Sequence, residues 1–362
     1  INYLLKMFSI VKRGFMKNIH FIYFQLFVFT SIPFAHGQRI EEEKYVCIGG
    51  IEQWVTIQGE DASKPIILFI HGGPGSTQSQ FEKNMYANWT KDFILVHWDQ
   101  RGAGRTYGRN APEELNEAYL INHPLSVETM TNDGIELTQY LLDHLNKKKV
   151  ILLASSWGSV LATKMAINKP DLFHAYIGHS QIVNFLKNIQ DAYETVFTLA
   201  SDNKDNEAME MLKSFGKPPY EDAKNYGKLL RIIKKYEAKR ETPAPASWFQ
   251  IAADYDNEKD SEDRYNGDDY SFVNLVGHKK LGLKSMVAGI DFSEDALHFK
   301  IPVYLIQGEG DILTSKNLSK PYFDKITAPN KAYFLLPHAA HGFNQSVVDK
   351  QYELITKYLY ME

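Results

Sequence analysis

Val150-Ile-Leu-Leu-Ala-Ser-Ser156-Trp-Gly-Ser-Val-Leu-Ala162 decides how the rest of this 362-residue chain is read. Its first five residues are a short continuous apolar run, the mark of a strand buried on both faces. Trp157–Ile167 has the composition of a helix. Between them Ala154-Ser-Ser156-Trp-Gly158 follows the G-x-S-x-G pattern of a sharp strand-to-helix turn, with Ala154 keeping the first position small. Ser156 is therefore the candidate nucleophile, placed at a helix N-terminus whose unpaired N–H groups favour negative charge. Ser155 misses the spacing, and Ser159 falls inside the helix.

Outward from this turn, strand and helix alternate. Tyr45–Ile48 and Gln53–Gln58 flank Gly49-Gly50 as an early hairpin, and Pro65–Ile70, Phe93–Trp98 and Phe173–Gly178 read as strands. Ser126–Leu145 carries apolar residues at helical spacing. Pro302–Ile306 and Ala332–Leu336 read as late strands, each followed by a helix, Lys316–Lys325 and Val347–Tyr358. This alternation predicts an α/β fold, a mostly parallel sheet with helices on both faces. Between residues 181 and 300 the strand signals stop. Helical stretches at Ile182–Leu199 and Tyr226–Lys239, broken by Pro218-Pro219 and Pro243-Ala-Pro245, predict an inserted helical cap. The core then comprises 38–180 and 301–362. Residues 254–269, with eight acids and two bases, read as a solvated acidic loop inside the cap. They fail as a calcium loop because Lys259 and Tyr265 stand where glycine and glutamate are needed.

Two further loops follow predicted strands. His71-Gly-Gly-Pro-Gly75 can bend sharply and expose N–H groups, and the N–H groups of Gly73 and Trp157 are the candidates to hold an oxyanion. Asp311, in Gly308-Glu-Gly-Asp311, is the candidate acid, with Glu309 as its rival. His341, in Pro337-His-Ala-Ala-His341-Gly342, is the candidate base, with His338 as the alternative. Nucleophile, acid and base each sit at the end of a predicted strand, in the chain order Ser, acid, His.

Composition narrows the functional classes. The chain is 44% hydrophobic and 23% charged, with 40 basic against 44 acidic residues, so nothing drives binding to a nucleic-acid backbone. Cys47 is the single cysteine, which excludes an intrachain disulfide and a cysteine zinc site, and it reads as a buried apolar side chain. No phosphate-binding glycine motif is present, so no nucleotide cofactor is expected. Residues 1–37 read as a secretory signal peptide starting at Met16 or Met7. Lys17 leads an apolar run from Ile19 to Ile32, and Ala35-His36-Gly37 offers a cleavage site. The expectation is export, to the periplasm or beyond, with no membrane attachment after cleavage.

His71-Gly-Gly-Pro-Gly75, Asp99-Gln-Arg-Gly-Ala-Gly104 and Ser156-Trp-Gly158 together resemble the proline iminopeptidase family, serine peptidases of the α/β-hydrolase fold. The resemblance spans about Gly49–Tyr358 and is densest from Ile66 to Ala166. It implies an aminopeptidase that removes N-terminal proline from short peptides through a Ser156–Asp311–His341 triad, without metal or cofactor. It also implies that Asp99–Gly102 shapes the floor of the site, and that acidic cap residues hold the substrate amine. Glu194, Glu207 and Glu210 are the stand-ins for that role, with Trp248 lining the pocket. Thr106 and Ala154 depart from the family pattern. The alternative is an esterase or amidase of the same fold acting on a small non-peptide substrate. A dehalogenase or epoxide hydrolase would need a carboxylate at position 156.

Overall fold

The computed structural model describes residues 37–359. Eight strands form one sheet: β1 (Ile40–Ile48), β2 (Ile51–Gly59), β3 (Ile66–Ile70), β4 (Ile94–Trp98), β5 (Val150–Ser155), β6 (Phe173–His179), β7 (Val303–Gly308) and β8 (Lys331–Leu336). Their order is β1-β2-β4-β3-β5-β6-β7-β8. β1 and β2 pair antiparallel, as do β2 and β4, and every later pair is parallel. The β1–β2 connection is the two-residue turn Gly49-Gly50, both at positive φ as a tight hairpin demands. Both strands are longer than their apolar runs suggest, because the edge strand tolerates Glu41, Glu42 and Glu43.

β3, β4 and β5 are buried along their whole length, which explains their unbroken apolar sequence. Alternate residues face opposite sides. Ile67, Phe69, Ile151, Leu153, Ile177 and Ile306 pack with Val347, Val348, Leu354 and Ile355 of the C-terminal helix Gln345–Leu359. β1 shows the same period. Val46 and Ile48 turn inward, and Cys47 between them is exposed, correcting the expectation of a buried thiol.

Helix α1 (Gly104–Asn110) follows β4, α2 (Val127–His144) precedes β5, and α3 (Trp157–Asn168) follows it. The Ser126 side chain caps α2 by accepting from Thr129 N–H. Between β6 and β7 run α4 (Phe185–Asp202), α5 (Asn206–Phe215), α6 (Ala223–Glu237) and α7 (Glu258–Val276). α7 occupies most of the stretch expected as an acidic loop. Its charges suit a helix start. The Asn257 side chain accepts from Asp260 N–H, and Glu258 and Asp260 lie in the positive first turn. α7 is clasped to the core. Arg105 Nε donates to Asp260 Oδ1 (2.8 Å), and Ser271 Oγ donates to the Gly102 carbonyl (2.7 Å). The chain between α6 and α7 also lies on the core. Trp248 joins the cluster of Met85 and Trp89, and Trp54 Nε1 donates to Tyr255 Oη at 2.8 Å. Among the described residues no helix is long and apolar enough to cross a membrane. The expected signal peptide lies outside the described residues, apart from Gly37.

Candidate active site

Ser156 occupies the turn between β5 and α3 at φ 50°, ψ −122°, a conformation that L side chains rarely adopt. Its N–H is tied to the His179 carbonyl at 2.9 Å. The turn is held tight because α3 starts against the end of β3. A Cβ on Gly158 would come within 2.0 Å of the Ile70 carbonyl oxygen, so only glycine fits there. The Ser156 hydroxyl donates to His341 Nε2 at 2.9 Å, and His341 Nδ1 faces Asp311 Oδ1 at 3.3 Å. With Nε2 as acceptor, the ring proton sits on Nδ1 toward the carboxylate. The Asp311 side chain is fully buried, and that of His341 is one-fifth exposed.

Four contacts hold the Asp311 carboxylate. Oδ1 takes Thr314 N–H at 2.8 Å besides His341, and Oδ2 takes Thr314 Oγ1–H at 2.7 Å and Gln307 Nε2–H at 3.1 Å. Burial opposes its charge. The His341 charge and hydrogen bond, with the Thr314 donors, outweigh burial and hold the carboxyl well below its usual range. For His341, burial opposes the imidazolium, while Asp311 by charge and hydrogen bond and Glu237 by charge outweigh it, so its pKa is raised.

A brace joins the glycine loop to the turn. Gln100 N–H donates to His71 Nε2 (3.2 Å), Gln100 Nε2 donates to the His71 carbonyl (2.9 Å), and Trp157 Nε1 donates to Gln100 Oε1 (2.9 Å). His71 therefore carries its proton on Nδ1 toward the Gly72 carbonyl, and burial pushes its pKa down to about 4, keeping it neutral. Gly73, at φ 108°, lines the same pocket as Ser156, and Trp157 is the first helical residue, so its N–H has no partner within the helix. The pocket beside Ser156 is walled by Ile182, Phe185, Ile189, Leu230, Phe272 and Leu275, all from the cap, and measures about 480 Å³ counting its open mouth. Around the mouth stand Ser76, Lys234 and Asp268.

Residues 65–344 match the family described as alpha/beta hydrolase fold. The chain is an α/β hydrolase. The hydrolase is 29% identical over 301 residues to a protein of Bacillus subtilis (strain 168) named probable aminopeptidase YbaC, covering 82% of this chain and 90% of that one. It is 24% identical over 323 residues to a proline iminopeptidase of Clostridioides difficile (strain 630), covering 88% and 97%. The crystal structure of proline iminopeptidase from Mycobacterium smegmatis superposes with a TM-score of 0.60 at 15% identity, covering 88% of this chain and 98% of that one, a likeness of fold.

Several expected site residues stand elsewhere in the hydrolase. Glu194 is more than half exposed and pairs with Lys217, and Glu207 and Glu210 lie exposed on α5; none lines the pocket. Trp248 is buried on the opposite side of the sheet from α3, in a groove with Asn84, Trp89 and Tyr352. It packs in the core on that side and does not line the pocket beside Ser156. Asp99–Gly102 does not line the pocket. Gln100 braces, Arg101 Nε pairs with Asp133 Oδ2 at 2.7 Å, and Asp99 accepts from Ser79 Oγ (2.6 Å) and Arg105 N–H (2.9 Å). Burial raises the Asp99 pKa to about 7, against those two donors. Of the rivals, Ser155 is buried in β5, Ser159 Oγ donates to the Ser156 carbonyl (2.6 Å), Glu309 pairs with exposed Lys316, and His338 is exposed. Sequence reasoning missed Thr314 and Gln307. The Asp-x-x-Thr spacing of Asp311 and Thr314, which lets a carboxylate accept the N–H three residues on, was a readable signal for the first.

Proposed function

We propose that this hydrolase is a serine aminopeptidase that releases an apolar N-terminal residue, proline or one like it, from short peptides through an acyl-enzyme. The observation that carries the reading is the 2.9 Å contact from Ser156 Oγ to His341 Nε2 at the edge of an apolar pocket. His341 takes the Ser156 proton as Oγ attacks the carbonyl carbon, and Asp311 steadies the imidazolium that forms. The N–H groups of Trp157 and Gly73 receive the oxyanion; one such donor is worth about 3–4 kcal/mol of barrier. The imidazolium then gives its proton to the leaving amine, and water, activated by the same base, frees Ser156. The pocket takes the apolar side chain. Asp268, at the mouth, offers a carboxylate to a protonated substrate amine. The relatives named aminopeptidase and proline iminopeptidase support the same reading.

One observation favours a second reading, an esterase or amidase. The residues lining the inner pocket include no charged side chain, which suits an uncharged acyl group. A panel of aminoacyl-naphthylamides and p-nitrophenyl esters separates the two. Preference for prolyl- or other apolar aminoacyl-naphthylamides supports the peptidase, and turnover of esters alone refutes it. A Ser156→Ala variant that retains full turnover, or a wild type that takes up no fluorophosphonate, refutes both. Export is proposed on the pattern of residues 1–37 and is tested by fractionating cells that express the full chain.

A further inference from the structure

The turn that ends α6 touches both loops that carry the acid and the base. Glu237, the last residue of α6, is only 6% exposed. Its Oε1 accepts the N–H groups of Ile312 (2.7 Å) and Leu313 (3.1 Å), the two residues after Asp311. Four residues on, Glu241 lies beside the base loop, its Oε2 3.9 Å from where a Cβ on Gly342 would sit. Thr242 N–H donates to the His338 carbonyl at 2.8 Å, and Asn344 Nδ2 donates to the Thr242 carbonyl at 3.2 Å. Arg240 packs on the acid loop closely enough that a Cβ on Gly310 would lie 3.0 Å from its own Cβ. Hydrogen bonds from N–H to a carboxylate are about twice as strong as neutral ones. Burying a carboxylate that no lysine or arginine pairs with among the described residues is costly, and here backbone N–H groups meet that cost.

We infer that Glu237 is a positioning residue: its buried carboxylate grips the acid loop by two backbone N–H groups while Thr242, on the same turn of the cap, holds the base loop by its backbone, so the alignment of Asp311, His341 and Ser156 depends on the cap. The inference rests on the serine hydrolase reading. The alignment has little slack. The His341–Asp311 contact is already 3.3 Å, at the long end of a hydrogen bond, so a small shift of either loop breaks it. The Glu237 charge also favours the imidazolium of His341. Burial raises the Glu237 pKa to about 7, while His341 lowers it and Asp311 raises it. The titratable groups around this turn are Asp311 on the acid loop, His341 and exposed His338 on the base loop, buried His179 on β6, Lys234 one turn back on α6, and Glu241 beyond its end.

The test uses the full chain with p-nitrophenyl acetate, a substrate too small to need the cap pocket. Glu237→Ala removes the acceptor for two N–H groups. It is expected to lower kcat by about tenfold to a hundredfold, the cost of misplacing catalytic groups, with KM little changed. Glu237→Gln keeps an oxygen for those N–H groups and restores most of kcat at pH 8. Because the Glu237 charge, which adds to that of Asp311 in raising the His341 pKa, is gone, the acid limb of kcat/KM moves to lower pH. An NMR titration of the His341 imidazole shows the same downward shift without turnover, and hydrogen exchange at Ile312 and Leu313 quickens in Glu237→Ala. Turnover by Glu237→Ala within twofold of wild type, or a His341 titration unmoved in Glu237→Gln, overturns the inference. If Glu237→Ala does not fold, the glutamine variant decides. If the wild type neither hydrolyses the ester nor labels at Ser156, the serine hydrolase reading falls, and the NMR titration still decides the clamp.

Discussion

Thr314→Val removes the hydroxyl that touches both the buried acid, at 2.7 Å from Asp311 Oδ2, and the ring of His341, at 3.3 Å from Nδ1. Valine keeps the shape and the backbone N–H, so Asp311 Oδ1 retains its 2.8 Å donor, while Oδ2 loses the 2.7 Å hydroxyl and keeps only Gln307 at 3.1 Å. A hydrogen bond to a charged group contributes about 1.5–3 kcal/mol, and no water reaches a side chain this deeply buried without rearrangement, so the expected loss of stability at pH 7 is about 2 kcal/mol. Urea unfolding reads it as a lower midpoint with an unchanged slope. The pH dependence has a fixed sign. The Asp311 pKa in the folded protein lies below its ordinary value of 3.8, so its contribution is complete above 3.8 and is lost as pH falls through the folded value. The gap between wild type and variant therefore stays constant from pH 8 to 5 and narrows only below about 4. Activity falls as well, because a carboxylate held more weakly on Oδ2 turns more freely beneath His341, whose ring also loses its Thr314 Oγ1 contact. Equal midpoints at pH 7, or a gap that closes between pH 8 and 5, would refute the assignment of this hydroxyl to a charged Asp311.

Two further outcomes follow from the geometry. Because Asp311 and Glu237 together raise the His341 pKa, kcat/KM should reach half its maximum above pH 6.5, the ordinary imidazole value, rising with pH as the base becomes neutral; a midpoint below 6.5 contradicts that balance. Gly158→Ala places a Cβ 2.0 Å from one backbone carbonyl oxygen and 2.8 Å from another, neither of which can rotate away. The variant should lose about 1–3 kcal/mol or more and its fluorophosphonate labelling; wild-type stability would show that the turn is looser than described.

The strand-end positions of Ser156, Asp311 and His341 were legible because each lies just past a parallel strand written as an apolar run, buried throughout in β5 and β7 and only partly covered in β8. The acidic stretch read as a loop formed α7 instead. Charge density marks solvent contact on one face and says nothing of the other, where Tyr270, Ser271 and Asn274 are buried against the core. Cys47 failed for a related reason. In an edge strand the side a residue faces is set by the parity of its pairing, which needs the register and not the residue type. Glu194 and Trp248 failed because the cap's wall depends on how helices pack.

By itself the sequence determined the order of the strands along the chain, the tight turn around Ser156, and the family to which the chain belongs. These are local matters, written in runs and spacings of a few residues. Only the tertiary structure decided what surrounds them. Glu237 and the N–H of Ile312 are 75 residues apart in the chain and 2.7 Å apart in space. No periodicity encodes such a contact, because it arises only when the cap closes over the sheet and a buried carboxylate takes the N–H donors within its reach.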